Sequence, residues 1–493
     1  MGVLRAREVV LPASIDDRSS AVFYGRYAGN VDRMRAYADL IPGTSGDALE
    51  RQIFGSTRPH APGGPSRQRW PAIAVRLPRA AGLLPRRLAE TRTQIHRWWQ
   101  LETSSTDMHP ARLRSLLLES QERFTQAMRG HILATMLSQA TYQRVAALAA
   151  AAGRGGAELD LTTGYGGLEE SMVLDDLWAV SRDRMPLSEF LARHGYHGPS
   201  EGEMSRPSWR ANPAALSNAV RSYAELDESR SPAAMHRGRI ATRERAESEL
   251  LTAVSRARRA QAHLVLRLGA RHIPLREVGK ASFLRAIDVG RYAATGLGRH
   301  LVRRGTLEDP IDAFLLTVAE LADPAVTGNR ELVSDFVRER KALRESYRPL
   351  ALPEVWNGNP TPVIDHAVTE LAVGGKVSGL PVCPGVVEGR VQVLLNAEDE
   401  DDFATGDILV CSFTDPSWTM LINLSGAMVI DVGGALSHGA IVARELGIPT
   451  VINTIDGTRR LRTGDRVRVD AAAGTIELLA RPVREQPQRA DAS

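Results

Sequence analysis

The run Gly433-Gly434-Ala435-Leu436-Ser437-His438-Gly439 brings together the residue types that nucleophilic or acid–base chemistry needs. Glycines at 433 and 434 permit a tight turn and the close approach of another group. Ser437 stands where a helix N-cap belongs, and Gly447 where the helix should stop. His438 is therefore expected at a helix N-terminus, where free N–H groups and the macrodipole favour negative charge. A neutral imidazole in that place suits carriage of a phosphoryl group. The nitrogen attacks phosphorus while the amides hold the transferred oxygens. The alternative is a histidine that only caps or packs.

A second candidate lies on a helical segment. Arg276 and Lys280 are four residues apart, so both leave one helix face and can converge on a single anion. Arginine offers a planar fork for phosphate oxygens and lysine a compact charge. Glu277 is a candidate substrate contact, or else the partner of these cations on a solvated face. A third group, Glu201, Glu203, Arg206 and Trp209 with Arg210, forms a polar and aromatic loop that could line a pocket. Its carboxylates would act there as base or metal ligands. The competing reading is a structural loop built on Pro199, Pro207 and a buried Trp209. His194 and His197 have neither cysteines nor clustered carboxylates at metal spacing beside them, so no metal site is expected.

These residues sit in 493 residues, enough for roughly two to four domains. With 43% hydrophobic and 24% charged residues the chain can bury a real core and is neither disordered nor fibrous. The formal net charge of +4 is small for this length. Only three lysines occur, Lys280, Lys341 and Lys376, and the arginines alternate with acids. That balance argues against a nucleic-acid partner. Cys383 and Cys411 cannot build a disulfide framework, and the amino-terminal residues lack the apolar core of a signal peptide. No apolar run is long enough to cross a membrane, so no membrane partner is expected. A cytoplasmic protein is expected.

The pattern changes once. Thr91–Gln100, Ala111–Ala151, Ala241–Gly269 and Leu275–Arg304 carry apolar residues at three- and four-residue spacing, so residues 1–348 read as a large helical domain. Asp175-Asp176 and Pro186 are helix-start signals. Prolines and glycines thicken over 349–380, as in a linker. Over 381–480 short apolar runs alternate with turns around one helix, Gly439–Leu446, which reads as a small α/β domain. Residues 481–493 read as a disordered tail. Four tryptophans, Trp98, Trp99, Trp178 and Trp209, either belong to the helical core or enclose a sizeable apolar ligand.

Residues 433–449, Gly-Gly-Ala-Leu-Ser-His-Gly-Ala-Ile-Val-Ala-Arg-Glu-Leu-Gly-Ile-Pro, resemble the phosphohistidine signature of the phosphoenolpyruvate-utilising enzymes. Thr414-Asp415-Pro416-Ser417-Trp418, Pro384-Gly385 and Gly464-Asp465 fit the same mobile domain. The helical part resembles the rifampin phosphotransferase-like branch through Tyr24-Gly25-Arg26, Gly164-Tyr165, Gly195-Tyr-His-Gly-Pro-Ser-Glu201 and Arg276-Glu-Val-Gly-Lys280. The resemblance implies a helical acceptor-binding domain followed by a swivelling phosphohistidine domain. His438 would be the carrier, with Arg276 and Lys280 near the phosphate.

The pattern also has departures. Leu436 stands where the family usually has Thr, His197 and Ser208 where it has Arg, and Ser200 where it has Gly. No glycine-rich Walker loop with its Lys and Ser or Thr appears, so this chain alone is not expected to bind ATP. Activation is then expected from a separate ATP-binding subunit, with Mg2+ and ATP bound through that partner. The expected function is a phosphotransferase component that moves a phosphoryl group through His438 to a hydroxyl of a small molecule. Two alternatives stay open: an ATP-independent lyase or cyclase with His438 as general acid–base, and a non-catalytic binding pseudoenzyme.

Overall fold

Long helices dominate up to residue 350 because the apolar spacing of the sequence is helical there, and strands take over where it alternates. The computed structural model describes residues 12, 14–42, 44–54, 57–105, 108–165, 169–350, 352–353, 355–362, 371–396, 403–414, 418–434 and 437–482. The chain divides into two units, one of Met1–Arg51 and Ser56–His366, the other including Ala367–Ser493. Among the described residues no helix is long and apolar enough to cross a membrane. The segment 483–493, expected as a tail, lies outside the described residues.

In the first unit the main helices are α1 (Trp70–Thr103), α2 (Pro110–Ala151), α3 (Glu169–Ser181), α4 (Leu187–His194), α5 (Pro232–Ala253), α6 (Arg259–His272) and α7 (Leu275–Arg303). Helix α7 lies against α2 along small residues. A Cβ at Gly279 would stand 2.8 Å from His131 Cα, and one at Gly296 2.8 Å from Leu113 Cδ1. The two backbones therefore approach more closely than larger side chains allow. Ile95, Trp99, Leu113, Leu117, Leu284 and Leu297 are among the residues of the core between α1, α2 and α7.

Two readings change here. The segment Ala241–Gly269 is not one helix: α5 ends at Ala253 and Val254 and Ser255 are extended before α6 begins. Asp175 and Asp176 do not start a helix but lie inside α3. The Asp176 carboxylate instead accepts from His194 Nε2 at 2.7 Å and from Arg193.

The second unit is one eight-stranded sheet. Its strands are β1 (Lys376–Ser378), β2 (Leu380–Cys383), β3 (Val386–Val393), β4 (Ile408–Cys411), β5 (Ala427–Ile430), β6 (Thr450–Ile452), β7 (Arg466–Asp470) and β8 (Thr475–Ala480). They lie in the order β1-β8-β7-β3-β4-β5-β6-β2. β3, β4, β5 and β6 are parallel neighbours and the other pairs antiparallel. β4 and β5 are buried at every position, as parallel central strands should be. Lys376–Ser378, which composition places at the end of a linker, pairs with β8 as an outer strand of this sheet. Two helices complete the unit near the site, α8 (Thr419–Leu424) and α9 (His438–Leu446).

Candidate functional site

His438 is the first residue of α9, which follows the carboxyl end of the parallel strand β5. Ser437 caps the helix: its side chain accepts from the Ala440 amide at 3.4 Å, and its own amide donates to the Gly434 carbonyl at 2.8 Å. A Cβ at Gly433 would lie 3.0 Å from Ser437 Oγ, close enough that the capping serine would have to shift. Gly447 ends the helix in the left-handed region, φ +69°. Ala435 and Leu436 lie outside the described residues, as do Asp415, Pro416 and Ser417.

The His438 ring is half-buried and has a threonine hydroxyl at each nitrogen. Nδ1 lies 3.2 Å from Thr414 Oγ1, and Nε2 lies 3.4 Å from Thr419 Oγ1. Thr414 belongs to the segment after β4, and Thr419 opens α8. Gly439 makes the first contact possible, because a Cβ there would stand 2.7 Å from Thr414 Oγ1. Thr419 was not visible as a site residue from sequence. Its signal is weak, a Thr just beyond a Thr-Asp-Pro-Ser-Trp run, and only the packing of α8 against α9 brings it to the ring.

Around this end of the sheet, Asp431 accepts from the Thr454 hydroxyl at 2.8 Å and from the Thr458 amide at 3.2 Å, fixing the loop after β5. Phe413, Val432 and Ile455, just past the ends of β4, β5 and β6, are exposed. Ligands in parallel sheets commonly sit outside these carboxyl ends.

In the helical unit, Arg276 and Lys280 are partly exposed on the first turns of α7, while Glu277 is buried between them. They gather around His131 of α2. Its Nδ1 is 3.1 Å from the Arg276 carbonyl, a contact that the close approach at Gly279 allows. Burial above all, with help from the positive charges of Arg276 and Lys280, pushes the His131 pKa down to about 4. His131 therefore stands neutral beside two cations, a grouping that sequence spacing did not show.

An apolar cavity of about 450 Å3 lies between α1, α2 and α6. Ile73, Leu77, Leu137, Val265 and Leu268 are among its walls, with Ile41 of an earlier segment. Leu77 and Ala81 of this wall pack in the same hydrophobic cluster as Leu275, the neighbour of Arg276. Helix α1 carries Pro78 and Pro85 inside its span along this wall. Arg271 bridges the rim, donating from Nη2 to the Gly82 carbonyl at 3.3 Å.

The third group of sequence candidates does not line this cavity. Trp209 is sealed against Phe190 and His197, with ring centroids at 6.0 and 5.4 Å. Glu201 is buried and pairs with His197 Nδ1. The imidazole thus occupies the place opposite this carboxylate, and the loop is part of the core. Glu203 and Arg206 are exposed. Partial desolvation of the exposed Glu203 carboxyl raises its pKa, but hydrogen bonds from the Ser205 hydroxyl and amide outweigh this and hold it low. Arg210 reaches instead to Asp288 of α7. Trp98, Trp99, Trp178 and Trp209 are all buried, and none lines the cavity. Among the described residues no cluster of His, Cys, Asp and Glu is suited to a metal ion.

Histidine burial gives a pH dependence. Burial lowers the pKa of His194 to about 4, even with Asp176 beside it, and His131 behaves alike. Unfolding returns both to about 6.5, so between pH 4 and 6.5 the unfolded chain binds more protons. Stability is therefore full above pH 6.5 and falls on acidification to pH 4, by roughly 3 kcal/mol for each histidine. Urea unfolding at several pH values checks this, and His131→Leu should flatten part of the slope.

Comparison with known proteins gives two family matches. Residues 403–474 match the family described as PEP-utilising enzyme, mobile domain, and residues 113–277 match the rifampicin phosphotransferase fourth domain. The rifampicin phosphotransferase of Streptomyces sviceus is 32% identical over 336 residues, 64% of this chain and 37% of that protein. That of Bacillus subtilis is 30% identical over 306 residues, 60% of this chain and 35% of that one. An uncharacterised Mycobacterium tuberculosis protein is 34% identical over 286 residues, 58% of this chain and 30% of its own length. The chain spans about a third of the length of the curated relatives it matches. It carries the mobile domain of the phosphoenolpyruvate-utilising enzymes together with the fourth domain of the rifampicin phosphotransferases.

Proposed function

We propose that this protein is a phosphotransferase component in which His438 carries a phosphoryl group to a hydroxyl of an apolar small molecule held by the helical unit. The observation that carries the reading is the His438 ring at the amino terminus of α9 with a threonine hydroxyl at each nitrogen. An Nδ1–H donating to Thr414 leaves the lone pair on Nε2. Nε2 then forms a bond to phosphorus as the donor's phosphorus–oxygen bond breaks, and the departing oxygen keeps the electron pair. In the second transfer the acceptor oxygen bonds to phosphorus and the nitrogen–phosphorus bond breaks. The electrons return to Nε2, and the hydroxyl proton passes to a base or to water.

The phosphoryl donor is ATP with Mg2+, bound by a separate ATP-binding partner. The exposed Phe413, Val432 and Ile455 beside the carrier suit contact with such partners. Arg276 and Lys280 stabilise charge on the phosphoryl oxygens during the second transfer, and neutral His131 adds no competing charge. The names of the relatives make rifampicin the first acceptor to test.

The test mixes the protein with labelled ATP or phosphoenolpyruvate, with and without lysate of its source, and seeks acid-labile label. Label that appears only with lysate supports the split enzyme. Absence of label under every condition, with activity that still depends on His438, would establish acid–base chemistry instead. Arg276→Ala and Lys280→Ala should leave carrier labelling intact and slow transfer to the acceptor roughly 100- to 1000-fold. Equal losses in both steps would remove them from the acceptor side.

A further inference from the structure

The cavity between α1, α2 and α6 holds one buried polar side chain whose hydrogen bonding is incomplete. Its walls are mostly apolar, and the Thr141 hydroxyl is already used on the Leu137 carbonyl at 2.7 Å. Arg144 and Arg271 are exposed. His272, the last residue of α6, lines the cavity and is only 5% exposed. Its Nδ1 is sealed from solvent with no hydrogen-bond partner.

That geometry fixes which atom meets a ligand. A sealed N–H without an acceptor is rarer in folded proteins than a sealed acceptor lone pair. The ring proton therefore belongs on Nε2, the ring nitrogen that is not sealed. Burial, and then the charge of neighbouring Arg271, depress the His272 pKa, so the ring is neutral at pH 7. A neutral N–H donates to an uncharged oxygen with no charge desolvated, whereas a carboxylate at that depth would have to reach the exposed Arg144 or Arg271 for an opposite charge.

We infer that His272 is a specificity-determining residue of this cavity, donating from Nε2 to an uncharged carbonyl, ether or hydroxyl oxygen on an otherwise apolar ligand. The inference deepens the phosphotransferase reading and rests on this cavity being the acceptor site. The hydroxyl that receives phosphate is then a second oxygen, apart from the one that His272 holds. The acceptor is an apolar body with at least two neutral oxygens.

Three probes of one shape test it by fluorescence titration of the full-length protein: pyrene, 1-acetylpyrene and 1-pyrenecarboxylate. The ketone should bind roughly three- to tenfold more tightly than pyrene, the worth of one hydrogen bond. In His272→Leu the ratio should fall to near one while pyrene still binds, which shows that the cavity is intact. Ala140→Phe, which narrows the cavity, should weaken all three probes. A ratio near one in the unaltered protein, an unchanged ratio in His272→Leu, tightest binding by the carboxylate, or no saturable binding overturns the inference. His438 labelling is read separately. Label without probe discrimination sinks the His272 assignment alone, and discrimination without label sinks the carrier role alone.

Discussion

His438→Ala is expected to abolish acid-labile phosphorylation and to lower acceptor phosphorylation by at least about 1000-fold, since the proposed covalent intermediate forms on its Nε2. The ring is the only histidine side chain in the described part of the second unit. Its loss removes the phosphorus-binding nitrogen without disturbing the fold around it, because Ser437 still caps α9 and Asp431 still ties down the preceding loop. The neighbouring hydroxyls should behave differently. Thr414→Val removes the partner of Nδ1 and lets the proton shift between nitrogens, so labelling should slow by roughly three- to tenfold. Gly439→Ala should match it by displacing Thr414, whose Oγ1 lies 2.7 Å from where the new Cβ would stand. Quench-flow labelling of the three variants separates the nucleophile from the groups that orient it. Residual label of ordinary stability in His438→Ala would move the carrier elsewhere.

The largest stability effect should come from Asp288→Ala. Asp288 is completely buried on α7 and accepts from Trp99 Nε1 at 2.8 Å, Arg291 Nη1 at 3.0 Å and Arg210 Nη2 at 3.1 Å. One carboxylate thus joins α1, α7 and the loop that contains Trp209. Removing it leaves the buried Arg291 charge with only the Met204 and Glu203 carbonyls and an indole N–H without its acceptor, a loss of about 3–5 kcal/mol. Asp288→Asn keeps the shape and an acceptor oxygen but not the charge, and should lose less. Urea unfolding followed by tryptophan emission reads both, because Trp98, Trp99, Trp178 and Trp209 are buried in the same unit. An unfolding free energy within about 0.5 kcal/mol of the unaltered protein, roughly the scale of a surface change, would refute the role given to this carboxylate.

Local signals in the sequence place His438 at the start of a helix, and it stands there. The N-cap serine, the glycine stop and the alternating strands are all short-range features, and each reappears in place. The role of Trp209 and Glu201 was not legible, because polar and aromatic residues in a loop look alike whether they face a ligand or a core. Trp209 packs against Phe190 of α4 and His197, and such burial is a long-range property. Thr419 and His131 were missed for the same reason, as each reaches its partner from another element. Lys376–Ser378 was read as linker because three residues among glycines and prolines carry too little alternation. The strand exists because β8 offers it an edge. The cavity is written in no motif. It arises where three helices fail to fill the space between them.

Pro78 and Pro85 in α1 have a dynamic consequence. Neither can donate an amide, so the carbonyls of Ala74 and Ala81 lose their usual helical partners along the cavity wall. Arg271 takes up the neighbouring Gly82 carbonyl, a tie that a single side chain can release. The first four turns of this helix should exchange amide hydrogens faster than its second half. A bulky guest would then enter by parting a loosely laced seam, while the tryptophan-bearing stretch beyond Pro85 stays shut.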